Sequence, residues 1–490
     1  MNQINCEKVN LFWFRRDLRT NDNKGLEAAF SSGGRVLPLF ISDPEILDRL
    51  ENKQDRRVEF IFRNLHRIET KLGPVLHFYA KPADAFRWLV EHGKEELGIE
   101  IQSLYCNEDY EPYAIQRDNQ VELFLLNRGI KTHLFTDQVI FSPHNQKILK
   151  LDGTPYTIYT PYSKRWRAAY GAAGLSNADT STAGLGDTSD SKPSSVLGIT
   201  KAHIAATAST SIPKLVWDSP TLLLFRSTPS ISQIGFQNIE NLGFTDNPKQ
   251  ILGEIDNIIS DYHKTRDIPA LENGTSKLGI HLRFGTVSIR EVVEKATILN
   301  DTWLGELIWR EFFMQIIKHF PYSEDAPFTE KYKFVPWRND QADIEAWMRG
   351  ETGYPLVDAG MRELNETGHM HNRVRMVVAS FLTKHLLVDW RIGETYFASK
   401  LNDYELASNV GNWQWAAGTG CDAAPYFRIF NPTEQARKFD PQSIYIRKWV
   451  PELVPKWFPE NQNSYPSPIV DHKFARERAL AAYALAVKSN

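Results

Sequence analysis

Over its first 135 residues the chain alternates short apolar runs with stretches of helical periodicity, and few patterns restrict a fold more. Residues 9–14, 36–41, 75–80, 101–106 and 130–135 are the mainly apolar runs that strands buried on both faces require. Between the second and third runs, residues 55–72 place Val58, Ile61, Leu65, Ile68 and Leu72 on one helical face. Pro82 and Pro112 stand where helices should begin, because the first helical turn has no use for the N–H that proline lacks. Strand followed by helix, repeated, predicts a parallel sheet covered by helices on both sides. The glycine-rich fingerprint of dinucleotide folds is absent, since FRRDLR follows the first run instead.

The remainder reads differently. Residues 171–214 are rich in Ser, Thr, Ala and Gly, the composition of a surface linker. Beyond them Ile251, Ile255, Ile258 and Tyr262 share one helical face, and helical patterns continue through Ala475 and Val487 with few strand signals. The expectation is an α/β domain with a Rossmann-like parallel sheet (1–140), an interdomain linker (141–214) and a larger, mostly α-helical domain (215–490). A chain of 490 residues is long enough for separate cores. Its net charge of −3 does not announce a nucleic-acid partner, although basic residues gathered on one face can still serve one. Cys6, Cys106 and Cys421 form no CxxC pair, Met1 opens no apolar leader, and no uncharged run is long enough to span a bilayer. These features predict a reduced, cytoplasmic protein without a membrane partner. His369 and His371 form an HxH with no third ligand at suitable spacing, so no metal is expected.

Four segments carry the chemistry. They are LFWFRRDLRTNDN near the start, TSKLGIHLRFG from Thr275, LGELIWREFF from Leu304, and the stretch from TGYPLVDAGMRELNETGHMHNRVRM to NWQWAAGTGCDAAPYFRIFNP. In this order they resemble the photolyase/cryptochrome flavoproteins, closest to the class I cyclobutane pyrimidine dimer photolyases, over nearly the whole chain outside the linker. The resemblance implies a monomeric carbon–carbon lyase. It would hold FAD in the helical domain and use blue light to repair DNA containing pyrimidine dimers.

By the same resemblance Tyr262, Thr275, Ser276, Lys277, Leu278 and Gly279 bind the flavin nucleotide, a Gly-Thr-Ser turn offering hydroxyls and N–H groups to the diphosphate. Alone, such a turn is an ordinary helix cap. Gly279 stands where the family commonly has Ser, and Glu405 where it has Asp. Arg375 and Asp403 match a salt bridge beside the isoalloxazine ring, Glu405 lies at the ring's polar edge, and Asn409 faces flavin N5. An amide there bonds either protonation state without adding charge, whereas a carboxylate would repel the anionic reduced flavin that repair requires.

A dimer stacked inside duplex DNA is out of reach. It has to be flipped into a pocket with aromatic walls and a polar group on its carbonyl edge. Trp309 and Trp415 match the walls, Met376 a soft apolar contact, and Glu306 and Asn372 the residues that bond the thymine carbonyl and imide edges. Glu306 and Trp309 are three residues apart, so one helical face presents both. Glu306 is the candidate to stabilise the radical anion by a hydrogen bond or a proton. Arg266, Arg310, Arg373, Arg428 and Lys438 are candidates for the flanking phosphates.

Trp337, Trp390 and Trp413 match tryptophans that carry electrons from the surface to oxidised flavin. In a chain with thirteen tryptophans, plain aromatic packing is the other reading. The alternatives in function are a blue-light cryptochrome receptor, against which the full substrate set speaks, and a (6-4) photolyase, which needs a histidine pair where Asn372 and Met376 stand. A second, antenna chromophore stays open in identity. Tyr113 and Ala114 occupy places where folate-binding members carry Asn and Glu.

Overall fold

The computed structural model describes residues 6–50, 52–173, 222–453 and 465–488; of the linker expected over 141–214, residues 174–214 lie outside them. The chain divides into two compact units. The first is built on β1 (Glu7–Phe14), α1 (Lys24–Ser31), β2 (Arg35–Ser42), α2 (Arg56–Leu72), β3 (Leu76–Tyr79), α3 (Pro82–His92), β4 (Ile99–Asn107), α4 (Pro112–Leu126), β5 (Lys131–Phe135) and β6 (Leu223–Phe225). The sheet order is β5-β4-β1-β2-β3-β6, with β1 to β5 parallel and β6 antiparallel to β3. Along β1, Leu11 and Trp13 enter one buried cluster with Leu39 and Phe78. Phe12 and Phe14 enter another, with Phe40 and Leu65. Both faces of the strand are dry, which is why its sequence is a hydrophobic run rather than an alternation. Asp55 caps α2 by accepting the Arg57 N–H, and Pro82 and Pro112 open α3 and α4 in their first turns.

Domain boundaries read from the sequence move in two places. Residues 222–252 and His281–Glu294, expected in the helical domain, belong to the sheet unit. Three residues of β6 are too few for a periodic signal, yet they complete an edge by pairing with β3. Arg290 is held in the sheet unit by Asp22 (2.8 Å) and Asp137 (2.7 Å). Conversely, α5 (Tyr159–Ala172) lies within the expected linker but belongs to the helical unit. Its Trp166 is buried and donates its indole N–H to Glu311 at 2.7 Å.

Further on come α6 (Pro248–Ser260) and α7 (Ile289–Leu299), both reaching across the boundary between the units. The helical unit proper continues with α8 (Asp301–His319), α9 (Gln341–Arg349), α10 (Pro355–Thr367), α11 (Asn372–Ser380), α12 (Trp390–Lys400), α13 (Leu406–Ala417), α14 (Pro432–Phe439), α15 (Ile444–Trp449) and α16 (His472–Lys488). In α6 the buried stripe is Ile251, Ile255 and Ile259. The helix ends at Ser260, so Tyr262 opens a separate short turn rather than extending the predicted face. The core of the second unit gathers Val374, Val377, Trp390, Phe397 and Trp413 from α11, α12 and α13. Gly393 makes one close approach there: a Cβ at this position would run into the Trp413 ring. No described helix is long and apolar enough to cross a membrane.

Asp137 ties the sheet unit together. Its side chain has 0% exposure and accepts from Arg19 at 2.7 and 2.8 Å and from Arg290 at 2.7 Å. Asp137→Ala would leave two guanidinium groups in one enclosed site, and should cost about 3–5 kcal/mol of this unit's stability. Denaturant unfolding followed by a sheet-unit probe checks this, and a loss below about 1 kcal/mol would show the pairing to be dispensable.

Candidate functional site

A cleft with an empty volume of ≈ 590 Å³, its open mouth included, runs between α11, α12, α13 and the segment that leads into α13. Among its lining residues are Asn372, Arg375, Met376, Asp403, Asn409 and Trp415. Asn372, Arg375 and Met376 come from the first turns of α11, whose N-cap is His371: its ring Nδ1 accepts the Arg373 N–H at 3.2 Å. His369 faces Glu363 at 3.4 Å, so the HxH pair serves local structure.

Arg375 donates to both oxygens of Asp403 (3.0 and 3.2 Å) and to the Met370 carbonyl (2.7 Å). Burial pushes the Asp403 carboxyl up, but the Arg375 charge and hydrogen bond outweigh it, and the net shift is down from the ordinary 3.8. The same Asp403 abuts Gly279, where an added Cβ would sit 2.7 Å from a carboxylate oxygen. The serine expected from the family pattern has no room here unless Asp403 moves. Just before it, Lys277 is held at φ +50°, a left-handed conformation that costs a non-glycine residue energy. Thr275, Ser276 and Leu278 belong to this same loop, which the Gly279–Asp403 contact brings against the cleft.

Asn409 donates its amide N–H to the Glu394 carboxylate (2.9 Å) and carbonyl (3.1 Å). That orientation turns the Asn409 carbonyl oxygen toward the cleft. Burial raises the Glu394 carboxyl. Glu405 is bound bidentately by Arg310 at 3.0 and 3.1 Å. Arg310 therefore does not stand as a phosphate cation: its side chain is only 11% exposed and its fork is spent on a buried carboxylate.

The lesion-side residues divide. Asn372, Met376 and Trp415 line the cleft, whereas Trp309 is not among the lining residues. Trp309 stacks on Tyr159 of α5 with ring centroids 3.6 Å apart and planes 5° apart. Glu306, one turn earlier on α8, pairs with Arg266 at 2.6 Å, and Arg266 lies over the Tyr262 ring at 5.5 Å. Arg373 pairs with Asp267 at 2.6 Å and lies over Phe439 at 4.3 Å. The Lys438 amine faces that same ring at 5.1 Å, and Arg428 is exposed on the loop between α13 and α14. Trp390 and Trp413 are buried in one cluster against which Trp337 packs, and Trp337 also meets Tyr483 edge-on at 5.9 Å.

Sequence reasoning missed Tyr159, Asp267 and Glu394. Tyr159 sat in what read as linker, and Asp267 and Glu394 act only through partners distant in sequence. No periodicity or motif marks such contacts.

Comparison with known proteins agrees with this geometry. Residues 10–179 match the family described as DNA photolyase, and residues 303–485 match the FAD binding domain of DNA photolyase, a span that includes the whole lining of the cleft. The chain is 37% identical to a deoxyribodipyrimidine photo-lyase of Escherichia coli, covering 98% of this chain and 99% of that one. It is 35% identical to one from a Synechococcus strain, covering 96% of each. Among solved structures it is similar to a bacterial class III photolyase from Agrobacterium tumefaciens, with a TM-score of 0.77, 31% identity and 98% of each chain covered. An archaeal photolyase from Sulfolobus tokodaii, solved with two FAD molecules, gives a TM-score of 0.73 at 29% identity, with 97% of this chain and 100% of that one covered.

The cleft fits FAD in its paired Arg375 and Asp403 and in the neutral amide of Asn409. A depressed carboxylate contributes stability above its unfolded value and loses it as pH falls through the folded one. The Asp403 pair should therefore hold FAD down to below about pH 3.8. In Arg375→Ala burial prevails, Asp403 protonates earlier, and the FAD-release midpoint moves to higher pH, as flavin fluorescence would register. An unmoved midpoint would remove this ion pair from cofactor retention.

Proposed function

The chain belongs to the DNA photolyase family, and we propose that it splits cyclobutane pyrimidine dimers in DNA by light-driven electron transfer. One observation carries the reading. The residues matched to flavin (Arg375, Asp403, Asn409) and those matched to the lesion (Asn372, Met376, Trp415) line one continuous cleft. Reduced FAD, when bound there, supplies the electron on excitation. The protein's residues do the rest. Arg375 offsets negative charge at the ring, and Asn409, fixed by Glu394, presents a neutral acceptor beside it rather than a repelling carboxylate. Trp415 gives the flipped bases a face to stack on, Met376 a polarizable contact, and Asn372 a polar edge. Glu306 hydrogen-bonds the dimer's carbonyl edge as charge develops there. Arg373, Arg266, Lys438 and Arg428 are the cations for flanking phosphates, and DNA affinity should fall as salt rises.

Names of the relatives support DNA photorepair, and the match to an FAD binding domain supports the cofactor. The absorption spectrum of pigment released from purified protein identifies any second chromophore bound beside FAD.

Protein carrying chemically reduced FAD should clear the dimer from a single-dimer oligonucleotide under blue light. Glu306→Ala should keep its FAD, bind the lesion about 1–3 kcal/mol more weakly and repair it with a lower quantum yield. No repair by the parent protein rejects the function, and equal yields in both remove Glu306 from the mechanism.

Trp413→Phe retains an aromatic ring against Gly393 but is far harder to oxidise. If Trp337, Trp390 and Trp413 relay electrons, this variant fails to photoreduce oxidised FAD yet repairs dimers once the flavin is reduced chemically. Trp415→Phe should do the reverse, keeping photoreduction and losing lesion affinity through lost stacking area. Transient absorption reads the first property and dimer repair the second. Normal photoreduction in Trp413→Phe would reduce the three tryptophans to packing residues.

A further inference from the structure

We propose that Arg266 is a positioning residue that keeps Glu306 ionised until a phosphate of the flipped lesion draws the guanidinium away, whereupon Glu306 takes up a proton and becomes the acid facing the dimer. The inference rests on the lesion-site reading above. It adds a proton, a trigger and an order of events.

The geometry is asymmetric in a way that matters. Two cations stand beside the lesion residues, and each is already held by a carboxylate: Arg266 by Glu306 and Arg373 by Asp267, both at 2.6 Å. A DNA phosphate that engages either one competes with that carboxylate for a fork of N–H donors. Asp267 is 42% exposed, so water can take over its charge once Arg373 leaves. Glu306 and Arg266 lie outside the lining of the cleft and are 32% and 27% exposed, so a phosphate can reach the pair from solvent. Burial dominates and the net shift of the Glu306 carboxyl is up from the ordinary 4.5, while the Arg266 charge and hydrogen bond hold that rise down. The other charged or titratable groups that act on Glu306 or feel it are Asp267, a like charge, and the phenols of Tyr262 and Tyr159. Without Arg266 the carboxylate is left with a second carboxylate and two neutral hydroxyl groups.

Tyr262 makes the exchange orderly. Its ring under Arg266 at 5.5 Å gives the guanidinium a stacking surface that does not depend on Glu306. The step balances simply. The guanidinium stays protonated and exchanges one anion for another, while the Glu306 carboxylate takes one proton from hydronium and releases water. No electron moves. The carboxyl then donates its O–H to the dimer carbonyl, where negative charge gathers once the electron arrives. A lesion properly seated on the backbone side thus arms the acid, and a base that does not bring its phosphate to Arg266 does not.

The test counts protons. FAD-loaded protein is titrated calorimetrically with a single-dimer oligonucleotide in buffers of different ionisation enthalpy across a pH series. Uptake should approach about one proton per lesion at its maximum and fall on both sides. At lower pH Glu306 is protonated before binding, and at higher pH it stays ionised after binding. Glu306→Gln should reduce the uptake to that seen with undamaged oligonucleotide while lesion binding persists. Arg266→Gln should cut it to less than half, because no counter-charge is left to lose, and should lower the salt slope of binding by about one. Lesion binding by the parent without proton uptake, or the same uptake in Glu306→Gln, overturns the inference and leaves the repair function standing. A parent protein that does not discriminate the lesion overturns both.

Discussion

The ion pair between Arg375 and Asp403 is the interaction on which the cleft depends. It joins α11 to the segment leading into α13, and through Asp403 it reaches the loop that ends at Gly279. Three stretches spread between residues 279 and 403 thereby share one wall. The absence of a side chain at Gly279 and the position of Asp403 are one structural fact: the carboxylate occupies the space a serine would need. Arg375, held on its other side by the Met370 carbonyl, cannot swing away without leaving a half-buried carboxylate unpaired.

The same pairing recurs around the site. Glu405 holds Arg310, Glu306 holds Arg266 and Asp267 holds Arg373. Each cation arrives with its own anion, in keeping with a chain whose net charge is only −3. The pairs differ in what they can do. Arg310 and Glu405 are both buried and act as a strut. Arg266, Arg373 and their partners are more open to solvent, and under the proposed function their ion pairs are contacts to be exchanged.

Neutral groups finish the chemistry. Asn409 has two distinguishable ends, and Glu394 takes the nitrogen, so the oxygen is what the cleft receives. Trp413 lies against α12 because Gly393 leaves room for it, which puts a readily oxidised ring in the packed core close to the helix that begins at Trp390. Under the proposed function, packing and electron transfer would ask for the same thing here, since rigid contact serves both.

Much of this was legible before folding. Five strands, α2 with its Asp55 cap and the proline-led starts of α3 and α4 followed from hydrophobic runs, periodicity and backbone chemistry, which are local properties that a sequence displays directly. The motif-bearing residues, too, named the family and most of the cleft. What the sequence by itself determined is therefore which segments are strands or helices and which family the chain belongs to. Only the tertiary structure decided that β6 closes the sheet edge, that Arg310 is spent on Glu405, that Trp309 stacks on Tyr159, and that Glu306 is held by Arg266. The physical reason is the range of the interactions. A cap or an amphipathic stripe is written within one turn or two, whereas an ion pair or a ring stack between residues tens to well over a hundred positions apart exists only once the chain has brought them together, and nothing in either neighbourhood announces the partner.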